Sequence, residues 1–233
     1  LVDGSAQPSI SADGRLVAFS SNGDIFVNLE RLTNGESPKM GGSRVYFIRR
    51  SSADLADLFA IDIQTRTTTL IKSAVSGFEF TQGRAVSNDG MRLVYSATVA
   101  TNQTQVFLFD ARDSSIRQLT QLAARVTEVK LSPTISGDGK RVAFATRRRV
   151  TNASDGSVEL YVLDLPTGQL QQVTKAPAAA TAEVIASLNF DGSLVAFSFP
   201  RVLSGPVSDD DFANNSEIYV GSLAARAAFG DGS

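Results

Sequence analysis

Two clusters in this sequence place chemically capable side chains at short spacing. Arg147-Arg148-Arg149 is followed by Asn152 and Asp155, and Asp209-Asp210-Asp211 is followed by Asn214, Asn215 and Glu217. A run of guanidinium groups can grip a carboxylate, a phosphate or an acidic glycan through paired N–H bonds. The solvated end of a strand has the same composition. Clustered carboxylate and amide oxygens suit calcium, which takes about 6–8 oxygen ligands. Asp209, Asp210 and Asp211 are the candidate ligands, although their spacing is not that of an EF-hand and a solvated acidic loop carries the same residues.

Other chemistries are removed by absence. The 233-residue chain holds no histidine, no cysteine and no tryptophan. Zinc and copper sites recruit histidine or cysteine, and serine–histidine and cysteine–histidine catalysis need them too. Catalysis through paired carboxylates alone stays open, as in glycoside hydrolysis. However, the segments Gln7–Ser11 and Leu131–Ser136 are polar and uncharged, and no tryptophan offers a sugar-stacking platform. The expectation is therefore a chain without catalytic residues and without a cofactor other than calcium. Lysine plus arginine number 22 against 24 acidic residues, a net charge of −2, which argues against nucleic acid as the partner. No run approaches the ~18 apolar residues of a membrane span, and the first residues lack a signal peptide's charged and apolar regions.

The elements that must position these clusters follow from an internal repeat. SADGRLVAFS (11–20), SNDGMRLVYS (87–96), SGDGKRVAFA (136–145) and NFDGSLVAFS (189–198) align without gaps, and KMGGSRVYFI (39–48) is a degenerate fifth copy. Five residues after Gly14, Gly42, Gly90, Gly139 and Gly192 stand Phe19, Phe47, Tyr95, Phe144 and Phe197. Asp-Gly between apolar runs predicts a hairpin with a two-residue turn, both residues at positive φ. Asp13, Asp89, Asp138 and Asp191 are then turn residues, and the aromatics pack between units. A third strand starts at Asp24, Asp57, Gln105, Glu159 and Glu217, and a more polar fourth closes the unit, giving strands A to D.

Spacing separates fixed from free parts. Asp57 to Lys72, Gln105 to Thr120 and Glu159 to Thr174 are each 15 residues. From the turn glycine to strand C the distance grows instead, through 10, 15, 15, 20 and 25 residues. The expectation is a constant C–D hairpin beside a variable B–C loop, with both charged clusters on B–C loops of one rim. Repeat 1 breaks the rule, since Asp24 to Thr33 is 9 residues. FVNLERLT then lacks room for a turn, so either the repeat has decayed or residues are absent from the sequence.

These copies resemble the TolB-type, WD-like β-propeller repeat: serine, a polar residue, Asp-Gly, three residues, then a small and an aromatic residue. Ser11, Asp13, Gly14, Ala18 and Phe19 match it, as do Ser136, Asp138, Gly139, Ala143 and Phe144. Repeat 3 carries Val94 and Tyr95 at the final pair, the last repeat has Asn189 for the serine, and the second keeps Gly42, Tyr46 and Phe47. The resemblance implies an all-β fold: one β-propeller over 1–233, of about five four-stranded antiparallel blades, complete or part of a longer protein. Its closure by the N-terminal segment in the last blade would remove exposed edges. Function transfers less readily than fold. The implied reading is a non-catalytic binding or scaffolding module, periplasmic or extracellular in a bacterium, with a protein or glycan partner on the B–C rim. The alternatives are an accessory propeller of a larger hydrolase or a carboxylate glycosidase.

Overall fold

The structure, a computed structural model, describes residues 6–124, 129–151, 154–176, 183–200 and 216–223; of 6, 148–151, 154, 155, 200 and 216 it describes the backbone alone. Its regular elements are all β-strands, in five antiparallel sheets whose strands follow chain order. The first holds β1 (Ala6–Ile10), β2 (Val17–Ser21), β3 (Asp24–Val27) and β4 (Glu30–Asn34). The second holds β5 (Glu36–Gly41), β6 (Arg44–Arg50), β7 (Leu55–Asp62) and β8 (Thr68–Ser76). The third comprises β9 (Arg92–Ala100), β10 (Gln103–Asp110) and β11 (Ser115–Gln118), its inner segment reduced to bridges at Glu79 and Val86. In the fourth are β12 (Thr134–Ile135), β13 (Arg141–Thr151), β14 (Ser154–Asp164) and β15 (Leu170–Gln172); in the fifth, β16 (Ala186–Leu188), β17 (Leu194–Pro200) and β18 (Ser216–Ser222).

The A–B turns of the Asp-Gly copies differ from the two-residue form expected, which only the second sheet shows among the described residues, with Gly41 paired to Arg44. Ser11 N–H donates to the Leu16 carbonyl at 2.9 Å and Gly14 N–H to the Ser11 carbonyl at 3.0 Å. Four residues therefore lie in the connection, and of the Asp-Gly pair only Gly14 is left-handed, at φ +73°. Side chains complete the turn: Ser11 Oγ donates to Asp13 Oδ1 (2.6 Å) and accepts the Leu16 N–H (2.9 Å). The same Ser–Asp bond recurs at 87/89 (2.5 Å) and 136/138 (2.7 Å). Serine and aspartate at fixed offset thus specify the turn through their own oxygens.

The first repeat has its turn after all. Val27 pairs with Glu30, and Asn28 and Leu29 alone connect them, at φ +47° and +75°. Both central residues are left-handed, as a tight hairpin turn of this length requires. Asn28 Oδ1 accepts the Val17 N–H (2.8 Å) and its Nδ2 donates to the Arg15 carbonyl (3.0 Å). All four strands therefore form within the short spacing.

Alternation sends side chains to opposite faces of each sheet, and the apolar ones meet between sheets. Ala18, Ile25 and Val27 pack on Val45, Phe47 and Ile61; Tyr46, Ile48 and Leu58 on Leu93, Tyr95 and Ala97; Val94, Val106 and Leu108 on Ile135, Val142 and Phe144; Ala143, Leu160 and Val162 on Leu188, Val195 and Phe197. Each B-strand aromatic also stacks on a C-strand aromatic directly opposite. The pairs are Phe19–Phe26, Phe47–Phe59, Tyr95–Phe107, Phe144–Tyr161 and Phe197–Tyr219, with centroids 5.3–6.1 Å apart. In the last four pairs the B-strand ring faces the preceding sheet.

In the third and fourth sheets a side-chain lock accompanies the 15-residue spacing. Thr120 Oγ1 donates to Gln105 Oε1 at 2.7 Å and accepts the Val106 N–H at 2.9 Å. Thr174 Oγ1 repeats this with Glu159 Oε2 (2.6 Å) and the Leu160 N–H (2.9 Å). The head of strand C is thereby locked to the end of strand D in the interior. Ser157 Oγ and the Ala176 N–H also donate to Glu159 Oε1, so that buried carboxylate is structural.

Among the described residues, no strand pair and no apolar cluster joins the fifth sheet to the first. The outward face of the fifth carries Ile218 (76% exposed) and Val220 (69%). Phe19 and Phe26 are half-buried on the first.

Candidate functional site in the central channel

The innermost segment of every sheet faces a common channel. One cavity, about 550 Å³, takes lining residues from all five repeats, in their inner strands or the segments leading into them, among them Gln7, Lys39, Gln82, Ser132 and Glu183. A second, about 430 Å³, shares Pro8, Lys39 and Gln82 with it and continues past Arg84 and Asn88 to Ser187. The first lies on the side of the B–C hairpins, because each A strand begins opposite the end of its B strand: Ala6 pairs with Ser20 and Glu36 with Ile48. The second lies toward the A–B turns.

Those turns make a fixed collar. Gly42 N–H donates to the Asn88 carbonyl (2.9 Å), Asn88 N–H to Gly137 (2.8 Å) and Asp138 N–H to Phe190 (2.7 Å), linking sheets two to five. Arginines reinforce it. Arg92 Nε donates to Asp110 Oδ2 (2.9 Å) while its Nη1 crosses to the Gly139 carbonyl of the next sheet (2.8 Å). Arg141 does the same, to Asp164 Oδ2 (3.4 Å) and the Gly192 carbonyl (2.8 Å). Burial works to raise the Asp110 carboxyl, but the bonds from Arg92 and from the Arg112 N–H bring it below the ordinary value. Tyr46 adds its hydroxyl to the Gly90 carbonyl at 2.6 Å, and burial pushes that phenol up to about 12.

The channel is charged, in contrast to the uncharged segments Gln7–Ser11 and Leu131–Ser136 on which the sequence expectation rested. Lys39, Glu79, Lys130 and Glu183 line the first cavity with Arg50. Lys130 sits 3.9 Å from Glu183, and Arg50 3.1 Å from Glu36. Glu79 is solvent-exposed. Lys39 is different: it is 9% exposed and has no ion pair or side-chain hydrogen bond among the described residues. Burial lowers its pKa from the ordinary lysine value. Ser96, 1% exposed on the same cavity wall, has an Oγ with no hydrogen-bond partner.

The arginine triplet does not begin a loop. Arg147 and Arg149 lie in β13, opposite Val158 and Asp155 of β14, and Arg148 stands between them. Arg147 is half-buried, and its Nη1 donates to the Gly156 carbonyl at 3.3 Å. The greater B–C distance in this repeat comes from two 11-residue strands, not from a long loop. The side chains of Arg148, Arg149 and Asp155 lie outside the described residues. So do Asn152 and the whole acidic set Asp209, Asp210, Asp211, Asn214 and Asn215, so the calcium expectation meets no observation. Among the described residues, no three acidic side chains gather as metal ligands would.

Lys39 and Arg84 were missed in the sequence reading. A signal existed for the first. Three residues before the turn glycine the copies read Ser11, Ser87, Ser136 and Asn189, and the second copy reads Lys39. Its turn is the short Gly42-Ser43 connection, with Gly41 pairing with Arg44, so the position is not needed as a turn cap.

No protein-family model matches the chain, and no curated protein matches it. Solved structures do. TolB from Acinetobacter baumannii is 18% identical with a TM-score of 0.60, over 83% of this chain and 48% of that one. The tricorn protease gives 15% identity and a TM-score of 0.65 over 94% of this chain and 21% of its own. The β-propeller domain of the trilobed protease from Pyrococcus furiosus, described as having an open velcro topology, gives 14% and 0.60 over 93% and 68%. The chain spans about half of that TolB and about a fifth of the tricorn protease. At these identities the likeness establishes the fold, a TolB-like β-propeller.

Proposed function

We propose that this chain is a non-catalytic binding propeller that receives a segment of a protein or glycan partner in the channel mouth on the B–C side. The observation that carries this reading is the 550 Å³ cavity, lined from all five repeats by residues that include polar and charged ones. A concave site with a few convergent polar groups above a rigid scaffold is the usual form of a ligand site. The lack of histidine and cysteine supports a binding role over acyl transfer. The fold likeness to TolB supports a bacterial envelope setting, periplasmic or extracellular; among the described residues no helix is long and apolar enough to cross a membrane.

Selection from a peptide display library and a glycan array tests it, with the wild type beside Gln82→Trp. Gln82 is exposed and lines both cavities, so a tryptophan there fills the mouth without disturbing the core. Ligands enriched by the wild type and lost by the variant are expected. Equal enrichment by both, or none by either, overturns the reading. A second reading, an accessory propeller of a larger hydrolase, is favoured by the tricorn and trilobed proteases among the structural neighbours. A hydrolase domain encoded in continuity with this chain would decide for it.

A further inference from the structure

We infer that the channel holds an oxyanion, the carboxylate or phosphate group of a ligand, between Lys39 and Arg84. This rests on the channel being the binding site and names the chemistry at its floor. Lys39 and Arg84 both line the 430 Å³ cavity, and among the described residues no aspartate or glutamate does. Neither cation has an ion pair or a side-chain hydrogen bond among the described residues. Arg84 reaches from the inner segment of the third sheet toward the fourth, where its Nη1 is buried against Gly137 with no partner. Lys39 comes from β5 and is 9% exposed.

Two cations lining one cavity repel each other, and Lys39 is largely dehydrated as well, which is costly unless an anion completes the set. Arg92 and Arg141 show the alternative, taking Asp110 at 2.9 Å and Asp164 at 3.4 Å. Arg84 and Lys39 have no carboxylate of that kind among the described residues. Gln82, Asn88 and Ser187 line it as well. A guanidinium can bind two oxygens of a carboxylate or phosphate side by side, and an ammonium supplies a point charge. The larger cavity leads to this floor through the wall that Pro8, Lys39 and Gln82 share.

The test is a thermal melt and a calorimetric titration at pH 7 and constant ionic strength, with sodium phosphate, sodium succinate and sodium chloride. An anion at ~100 times its dissociation constant shifts a chain of this size by several degrees. The wild type is expected to show that shift with phosphate, succinate or both, and not with chloride; which probe acts identifies the source of the oxyanion. Lys39→Met is expected to melt higher than the wild type without anion and to lose the shift. Arg84→Gln is expected to weaken binding about tenfold or more, and it carries the comparison should Lys39→Met not fold. Absence of any shift, or a shift undiminished in the variants that fold, overturns the inference. Ligand enrichment blocked by Gln82→Trp without anion binding would remove this inference alone. Anion binding without ligand enrichment would remove the channel-mouth reading and leave the oxyanion site.

Discussion

Lys39 occupies a position where the other copies carry serine or asparagine, and it bears a charge that its surroundings do not balance. Its pKa is lowered, so the unfolded chain holds this proton more tightly than the folded one. Stability from this group is therefore at its lowest below the folded pKa and rises as pH climbs from there to the ordinary lysine value of 10.5. Lys39→Met is expected to gain about 1 kcal/mol at pH 7 and to lose that alkaline rise, both readable from denaturant melts across pH. Two glycines give a contrast at the same scale. Gly14 and Gly90 have the same φ, +73° and +74°, but a Cβ on Gly14 meets open space while one on Gly90 overlaps the Gly41 carbonyl. Gly14→Ala should cost about 1 kcal/mol and Gly90→Ala distinctly more, because the collar must open to admit the methyl.

At the scale of elements, most of the strand pattern could be read from the sequence because it repeats. The glycine-plus-five aromatics, the strand C starts and the C–D spacing all correspond to observed strands and bonds. What escaped were relations that a one-dimensional pattern does not encode. The C-strand aromatics Phe26, Phe59, Phe107, Tyr161 and Tyr219 were visible, but their pairing across the sheet depends on register. The growing B–C distance read as a loop, yet in the fourth sheet it is longer strand, since charged residues such as Arg147 and Arg149 are acceptable on a solvated hairpin end. The first repeat looks too short beside the 15-residue spacing of its sisters, yet Asn28-Leu29 alone makes the turn, with a leucine at φ +75°. Leu29 is 69% exposed and has no packing to lose, so Leu29→Gly should raise stability by about 0.5–1 kcal/mol in a chemical melt. The aromatic pairs predict a gradient. Phe47 is fully buried with Arg49 over its ring at 5.3 Å, and Phe47→Ala should cost about 3–5 kcal/mol. Phe19, half-buried on the first sheet, should cost about 1 kcal/mol. Equal losses would mean that the face of Phe19 is covered in solution.

The molecule is a series of sheets, the second to fifth tied by a collar of turns, and its pH limits follow from carboxyls in its turns and phenols buried between its sheets. Serine hydroxyls and backbone N–H groups hold the Asp13 and Asp62 carboxyls below 3.8. Their contribution is present above that pH and lost as pH falls toward the folded values. Tyr46 and Tyr95 are raised by burial to about 12 from 10.0, so their contribution is full below pH 10 and lost as pH rises through 12. Unfolding should set in below about pH 4 and above about pH 10, and Tyr46→Phe should soften the alkaline limb, as followed by circular dichroism. The channel itself was beyond sequence reasoning, because Lys39, Gln82, Arg84 and Glu183 come together only when five inner segments converge. The central claim is that binding happens in that channel and not along the hairpin that carries Arg147. The direct measurement is calorimetric affinity for the best selected ligand in the wild type, Gln82→Trp and Arg147→Ala. A loss of about tenfold or more in Gln82→Trp, with Arg147→Ala unchanged, is the predicted result. An unchanged affinity in Gln82→Trp beside a loss in Arg147→Ala would contradict the account and move the site to the hairpin.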